Sequence, residues 1–325
     1  MKILITGVAG FIGSNLALAL LERGYTVVGM DNMSQGHELN MADFIHHPRF
    51  TMLREDVRDA TAVNRAMEGC NAVVHLAAYK IPRYSDALDT LLINSIGSHN
   101  VLEAAIKHKC RVLSASTSDV YGKNPNVPFR EDSDLVIGNP TIKRWAYAIS
   151  KVFDEQLHFA YHDRHGLEFV ILRFFGGYGP NQNLTWWGGP QSVFINAALE
   201  EREIEIHGDG QQTRSFTYVS DHVDGIMRCI ENPAAVNRVF NLGAVEEITI
   251  EGLGRLIWRL VRGDDPPKLK FIPYTAFGNY EDVRRRVPDI SLARQLLGYE
   301  PQVDLESGLQ RTIVWQIQRR AQLKL

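Results

Sequence analysis

The first thirty residues constrain this chain more than any other stretch. Lys2 to Thr6 is a short apolar and β-branched run that leads directly into Thr6-Gly7-Val8-Ala9-Gly10-Phe11-Ile12-Gly13. Phe11 to Glu22 then repeats apolar residues at helical spacing, and residues 25–30 form a second apolar run. A buried strand, a glycine turn, a helix and a second strand within about thirty residues have the length of one βαβ unit.

The same alternation continues. Strand-like runs recur at residues 50–53, 72–76, 111–115 and 169–173, with helical segments at about 61–67, 85–107 and 145–164. This predicts an α/β fold built on a doubly wound parallel sheet. After Arg173 the texture changes, because residues 176–190 are dense in glycine, proline and tryptophan and read as a crossing into a smaller region. Residues 216–242 read as a return to the sheet, with a helix near 223–230 and a strand at 239–242. Residues 249–261, 291–297 and 305–318 read as small C-terminal helices. The expected organisation is a first unit over 1–179, rejoined by 215–243, and a smaller ligand-binding region from 180–214 and 244–325.

Composition narrows the function classes. At 325 residues a core is easily buried, and a formal net charge of −3 gives no reason to expect a nucleic-acid or acidic-membrane partner. Cys70, Cys110 and Cys229 are odd in number, far apart and without metal-ligand spacing, which predicts buried thiols in a reducing compartment and no metal centre. Met1-Lys2 leads straight into the first strand and no apolar run approaches about 20 residues, so neither a signal peptide nor a membrane span is expected and a cytoplasmic location is.

Two constellations carry chemistry. A glycine loop between strand and helix brings backbone N–H groups and a helix N-terminus against a pyrophosphate, although the spacing here is G-x-x-G-x-x-G instead of the usual G-x-G-x-x-G. A bare glycine triplet is an ordinary turn. This one is followed by Asp31 at the end of the second strand, where a carboxylate can accept both ribose hydroxyls and repel a 2′-phosphate; NAD is therefore favoured over NADP. The second constellation is Tyr147-Ala-Ile-Ser-Lys151, two residues four apart on one helix face, so that the ammonium can favour the ionised phenol. Lowering a phenol from about 10 to neutrality needs roughly 4 kcal/mol, much of which a nearby cation can supply. An ordinary surface pair has the same spacing.

Taken together, the ordered motifs resemble the extended short-chain dehydrogenase/reductase family, specifically its nucleotide-sugar epimerases, dehydratases and decarboxylases. They are the glycine loop, Asp31-Asn32, Asp56-Val57-Arg58, His75-Leu76-Ala77-Ala78, residues 116–122 (STSDVYG), Tyr147 with Lys151, Arg173-Phe174-Phe175, Gly179-Pro180, residues 208–214 (GDGQQTR) and Arg286-Val287-Pro288-Asp289-Ile290. The resemblance spans nearly the whole chain and implies a Rossmann-like sheet with a C-terminal substrate-binding region. It implies an NAD site made by Gly7, Gly10, Phe11, Ile12, Gly13, Asp31, Asn32, Asp56, Val57, Leu76, Ala77 and Ala78, together with Tyr147 and Lys151. The implied catalytic set is Tyr147 as base, Lys151 lowering its pKa, Thr117 orienting the same sugar oxygen, and Ser118 and Asp119 beside them. Arg214 and Arg286 are expected to clamp a diphosphate, with Lys80 and Thr117 reaching the sugar. His75 reads as a packed core residue, Arg284 and Arg285 as solvated surface, Ser220-Asp221-His222 as a helix start, and Trp186-Trp187 as a loop-packing pair that could stack on a base.

The family's reactions share oxidation at C4 and diverge afterwards. Dehydratases resemble an Asp-Glu version of the 118–119 pair, and decarboxylases a Ser-Glu version. Ser118-Asp119 lacks the first carboxylate of one and is a methylene short of the other. Epimerisation asks least of these residues, so an NAD-dependent 4-epimerase of a nucleotide sugar, UDP-linked by resemblance, is the leading expectation. A UDP-glucuronate decarboxylase is the alternative, a 4,6-dehydratase a weaker one, and an NAD-binding scaffold the non-enzymatic one. The helices over residues 88–107 and 145–164 resemble those that pair in family homodimers.

Overall fold

The computed structural model describes residues 1–80, 86–278 and 281–325. In chain order the first elements are β1 (Lys2–Thr6), α1 (Phe11–Glu22), β2 (Thr26–Met30), β3 (Phe50–Leu53), α2 (Ala60–Ala66), β4 (Ala72–His75), α3 (Ala87–His108), β5 (Arg111–Thr117), α4 (Trp145–His165) and β6 (Phe169–Phe174). They are followed by β7 (Gly177–Tyr178), α5 (Pro190–Leu199), β8 (Ile204–His207), β9 (Thr213–Ser215), β10 (Thr217–Tyr218), α6 (Val219–Glu231), β11 (Arg238–Leu242), β12 (Glu247–Thr249), α7 (Ile250–Arg262), β13 (Leu269–Ile272), β14 (Arg285–Arg286), α8 (Ser291–Leu297) and α9 (Leu305–Leu323). Ser85, where the third helix was expected to begin, lies outside the described residues.

Seven parallel strands form the main sheet in the order β11-β6-β5-β4-β1-β2-β3. Successive side chains leave a strand on opposite faces, so both must be covered. Ile3, Ile5, Val27 and Leu113 pack with Leu16 and Leu20 of α1 and Val223 and Ile226 of α6. Leu4, Val28, Val73 and Val112 pack on the other face with Val63 of α2 and Val101 and Leu102 of α3. Burial on both faces is why these strands read as continuous apolar runs. The strand order reverses between β1 and β4, and the ends of these strands open a crevice at the place where doubly wound sheets bind ligands. The expected α/β Rossmann-like class is the observed one.

The remaining strands are short. β7 pairs with β10, β8 with β13, and β9 lies between antiparallel β12 and parallel β14. Their core unites Phe194, Ile204, Ile206, Leu253, Trp258 and Leu309. Strands of two to four residues are too brief for alternation to be visible in sequence. α9 is longer than expected and not a small helix. Its inward face carries polar residues past 313, since Gln316 is fully buried with its Nε2 donating to the carbonyl of Ser192 at 2.8 Å, and these interrupt the apolar period.

A polar rivet joins the two ends of the chain. Arg319 of α9 donates to Asn40 Oδ1 at 2.7 Å and Asn181 Oδ1 at 3.0 Å. Asn40 Nδ2 in turn donates to the carbonyl of Ala9 at 2.9 Å, inside the glycine loop.

Candidate active site

The glycine loop has no room for side chains. Gly7 has φ 74°, and a Cβ there would lie 2.9 Å from the backbone nitrogen of Ala77; a Cβ on Gly13 would lie 2.2 Å from the carbonyl oxygen of Gly7. Gly10 caps α1 without a side-chain acceptor, and the first turn, which includes Phe11, Ile12 and Gly13, holds no acidic residue. The positive end of α1 is thus left open to an anion. Leu76, Ala77 and Ala78 leave the end of β4 against this turn, and the Ala77 N–H donates to Thr6 Oγ1 at 3.2 Å. Asp31 ends β2, accepting from the backbone of Ala9 at 2.9 Å and Met33 at 2.8 Å. Burial raises its pKa while those two N–H groups oppose the rise. Asn32 Nδ2 donates to Asp56 Oδ2 at 2.9 Å, and Arg58 forks onto the same carboxylate at 3.0 and 2.7 Å. That fork holds Asp56 well below the usual carboxylate range. Val57 packs tightly under α3, where a Cβ on Gly97 would approach its Cγ2 to 2.8 Å. A cradle that side chains would fill, an open helix N-terminus and a carboxylate at the second strand end fit a dinucleotide.

α4 presents Tyr147, Lys151, Asp154, Glu155 and His158 along one side. Thr117, at the end of β5, hydrogen-bonds the Tyr147 phenol, bringing the expected Thr–Tyr pair together. Burial first, then the charges of Asp119 and Asp154, raises the phenol pKa, and only the Thr117 hydrogen bond opposes them. Lys151 Nζ lies 3.2 Å from Asp154 Oδ2 in an ion pair, with both side chains nearly inaccessible at 2% and 6%.

Beneath this pair a polar layer is satisfied internally. His75 takes Thr6 Oγ1 at 2.7 Å and Ser98 Oγ at 3.3 Å on its two nitrogens, and burial keeps it neutral; it is the packed core residue expected. Arg173 forks onto Glu155 at 3.0 and 2.7 Å. His158 joins Ser114 at 2.7 Å.

A cavity of about 250 Å³ opens beside Ser118, lined among others by Gly176, Arg214, Tyr274 and Arg286. Arg214 and Arg286 lie side by side because β9 and β14 pair in register at these residues. Arg286 reaches Asp119 Oδ1 at 2.8 Å and Arg214 reaches Asp282 Oδ1 at 2.9 Å. Arg144 bridges the two carboxylates at 3.2 and 3.0 Å. Burial pushes Asp119 up, but Arg286, Arg144 and Arg214 outweigh it and hold the carboxylate ionised. Asp119, expected as a member of the catalytic set, is therefore an anchor in an arginine cluster in this structure. Lys80, where the described part of its loop ends, is coupled to Asp119 by charge.

Arg144 and Asp282 were missed from sequence. The only signal was position, Arg144 just before the Tyr147 helix and Asp282 just before the arginine run. Arg284 and Arg285 pair with Asp209 and Glu247 on the surface, as expected. Trp186 lines the cavity and stacks on His207 with centroids 4.5 Å apart, whereas Trp187 meets Tyr79 edge-on at 5.0 Å. A side chain at Gly176 would meet Phe216 at 2.8 Å. Ser220-Asp221-His222 lies in the first turn of α6, as expected. Among the described residues no cluster of His, Cys, Asp or Glu could hold a metal ion, and no helix is long and apolar enough to cross a membrane.

This architecture has close counterparts. The chain is 33% identical over 322 residues to UDP-N-acetyl-alpha-D-glucosaminuronate decarboxylase of Bacillus cytotoxicus, covering 97% of both chains. It is 37% identical to UDP-glucuronic acid decarboxylase 6 of Arabidopsis thaliana, covering 95% of this chain and 87% of that one. The structure of UDP-glucuronic acid 4-epimerase from Bacillus cereus, in complex with UDP-glucuronic acid and NAD, superposes with a TM-score of 0.88 at 30% identity, covering 98% of this chain and all of the other. The family described as GDP-mannose 4,6 dehydratase matches residues 4–312. The chain belongs to this family, the NAD-dependent nucleotide-sugar epimerases, dehydratases and decarboxylases of the extended short-chain dehydrogenase/reductase type.

Proposed function

We propose that this protein is an NAD-dependent decarboxylase of a UDP-linked hexuronate. The observation that carries the reading is the arginine cluster beside Ser118. Three guanidiniums face two carboxylates there, leaving an excess of positive charge in a cavity that reaches Ser118, the chain neighbour of Thr117. A UDP-hexuronate brings a diphosphate at one end of its sugar and a carboxylate at the other, and both suit such a wall. The decarboxylases among its relatives favour this outcome over the epimerisation expected from sequence, and the epimerase that resembles it in structure also holds a UDP-hexuronate.

Arg214 and Arg286 would grip the diphosphate, and Thr117 would orient the C4 hydroxyl toward Tyr147. The glycine loop, Asp31, Asn32, Asp56, Val57 and the segment Leu76–Ala78 would hold NAD, with Lys151 on the nicotinamide ribose. When bound, the nicotinamide supplies the hydride acceptor for C4 and the donor for its return. Tyr147 takes the C4 hydroxyl proton in its phenolate form. The C4 ketone then makes the substrate a β-keto acid, so the C5–C6 bond can break with its electron pair moving into the carbonyl, releasing carbon dioxide; protonation at C5 completes the balance. Exposed Leu88, Leu92 and Ile96 on α3 and Ile149 and Phe153 on α4 suit a homodimer in which these helices pair.

The test is to incubate the protein with NAD and UDP-glucuronate or UDP-N-acetylglucosaminuronate, and follow carbon dioxide and sugar products by mass spectrometry and NMR. Carbon dioxide with a UDP-pentose or 4-keto pentose is expected. A C4-epimerised hexuronate without carbon dioxide would return the reaction to epimerisation. If NAD binds but no sugar turns over, the enzyme reading fails. Tyr147→Phe should lower turnover by about 10²- to 10⁴-fold with NAD binding kept.

A further inference from the structure

The hydride-transfer centre contains a carboxylate that the reaction above does not use. Asp154 lies one helical turn beyond Lys151, 4% exposed, and its Oδ2 holds the Lys151 ammonium at 3.2 Å. Its Oδ1 has no hydrogen-bond partner among the described residues. An unpaired buried carboxylate oxygen is costly, so this site is kept for something other than packing. The inference rests on the assignment of Tyr147 and Lys151 as the hydride-transfer pair.

The groups around Asp154 come from several elements. α4 itself supplies Lys151, Glu155 and His158, whose Nδ1 pairs with the Asp154 carbonyl at 2.7 Å, and Tyr147 farther up the same face. α3 supplies Ser98, whose hydroxyl favours the ionised carboxylate and pairs with His75 Nε2 of β4 at 3.3 Å. Glu155 is neutralised by Arg173 of β6, with Ser116 of β5 donating at 2.5 Å, and burial keeps His158 neutral beside Ser114. Within α4, Lys151 and Asp154 are therefore the pair whose balance reaches Tyr147, alongside the charge of Asp119, which acts on the phenol from just beyond β5.

We propose that Asp154 is a positioning residue for hydride transfer: it tethers Lys151 and cancels the positive charge that the ammonium would otherwise project onto the Tyr147 phenol. The ammonium then acts on the phenol only when a ligand draws it from the carboxylate. Asp154 is one of the charges that raise the Tyr147 pKa, in line with this arrangement. Asp154 itself is raised by burial, against the pull of Lys151 and Ser98. At neutral pH the tether keeps the centre in its protonated resting form.

Asp154→Asn is nearly isosteric and removes the charge. The acid limb of the kcat/KM profile is expected to move to lower pH by about one unit, the scale of one removed neighbouring charge. In the NAD-loaded protein, the tyrosinate absorbance lost on adding Tyr147→Phe should titrate at correspondingly lower pH, a readout independent of turnover. Ser98→Ala weakens the carboxylate's support without touching the pair, and a smaller shift in the same direction is expected. If Asp154→Asn folds and neither profile moves, or if both move to higher pH, Asp154 is a structural residue only and the proposal is overturned. If Asp154→Asn does not fold, Ser98→Ala decides by the same two readouts. If the protein shows no turnover on any UDP-sugar but the tyrosinate titration still shifts, the proposed reaction fails while the role of Asp154 stands.

Discussion

Replacing Arg214 by Met tests whether the arginine cluster is a ligand clamp or an internal salt-bridge network. Burial drives the Arg214 guanidinium down to about 10, with Asp282 and Asp119 pulling it up and Arg286 and Arg144 pushing it down. It stays charged at neutral pH, in a cluster with surplus positive charge that an anion would relieve. Arg214→Met leaves no orphan, because Asp282 keeps Arg144 at 3.0 Å and the Tyr274 hydroxyl at 2.6 Å. The fold should lose little. A hydrogen bond to a charged group contributes about 1.5–3 kcal/mol, so loss of the phosphate contact should raise KM for the UDP-sugar by about 10- to 150-fold. The change in kcat should be small, because the diphosphate is remote from the reacting C4. Calorimetric titration with UDP should show the same loss, and its salt dependence should flatten with one guanidinium gone. An unchanged KM and UDP affinity in a folded variant would refute the clamp and leave Arg214 as a structural partner of Asp282.

Burial holds His222 and His158 each at about 4, well below an unfolded value near 6.5. The unfolded chain therefore takes up protons first as pH falls from about 6.5 toward 4, and each histidine withdraws up to about 3 kcal/mol of stability across that window. Carboxylates raised by burial, such as Asp31, work in the opposite direction. The difference between wild type and His222→Phe, which keeps a ring against Phe174, isolates one proton; between pH 7.5 and 5 the variant should lose about 2 kcal/mol less stability in urea unfolding than wild type, and parallel losses would contradict it. Phe153→Glu, on the exposed face of α4, should convert a dimer to a monomer in light scattering without changing circular dichroism, and a persistent dimer would place the interface elsewhere. Arg173→Met leaves Glu155 buried with Ser116 alone, so a loss of about 3–5 kcal/mol in urea unfolding is expected, with part restored by adding Glu155→Met.

The main sheet was legible because two-sided burial writes itself into continuous apolar runs, as at residues 3–5 and 169–172. The site was legible where backbone shape dictates the residue, as at Gly7 and Gly13, and where helical spacing places two groups together, as with Tyr147 and Lys151. Spacing was silent where the site arises from register, and there only the family resemblance pointed to Arg214 and Arg286. Arg214 and Arg286 are 72 residues apart and meet only because two short strands pair. Arg144, Asp282 and the engagement of Asp119 follow from that meeting. Asp154 stood three residues beyond Lys151 in full view, but burial, which turns a helix-surface acid into the partner of the Lys151 ammonium, is a property of the packed layer and not of the spacing.

The link from Arg319 through Asn40 to the carbonyl of Ala9 has a consequence for biogenesis. The glycine loop leaves the ribosome early, whereas the side chain that orients Asn40 follows 279 residues later. A nascent chain with its first βαβ unit already collapsed still lacks the brace behind its loop. The loop's final shape is thereby set by a contact spanning 279 residues, formed only once α9 has docked.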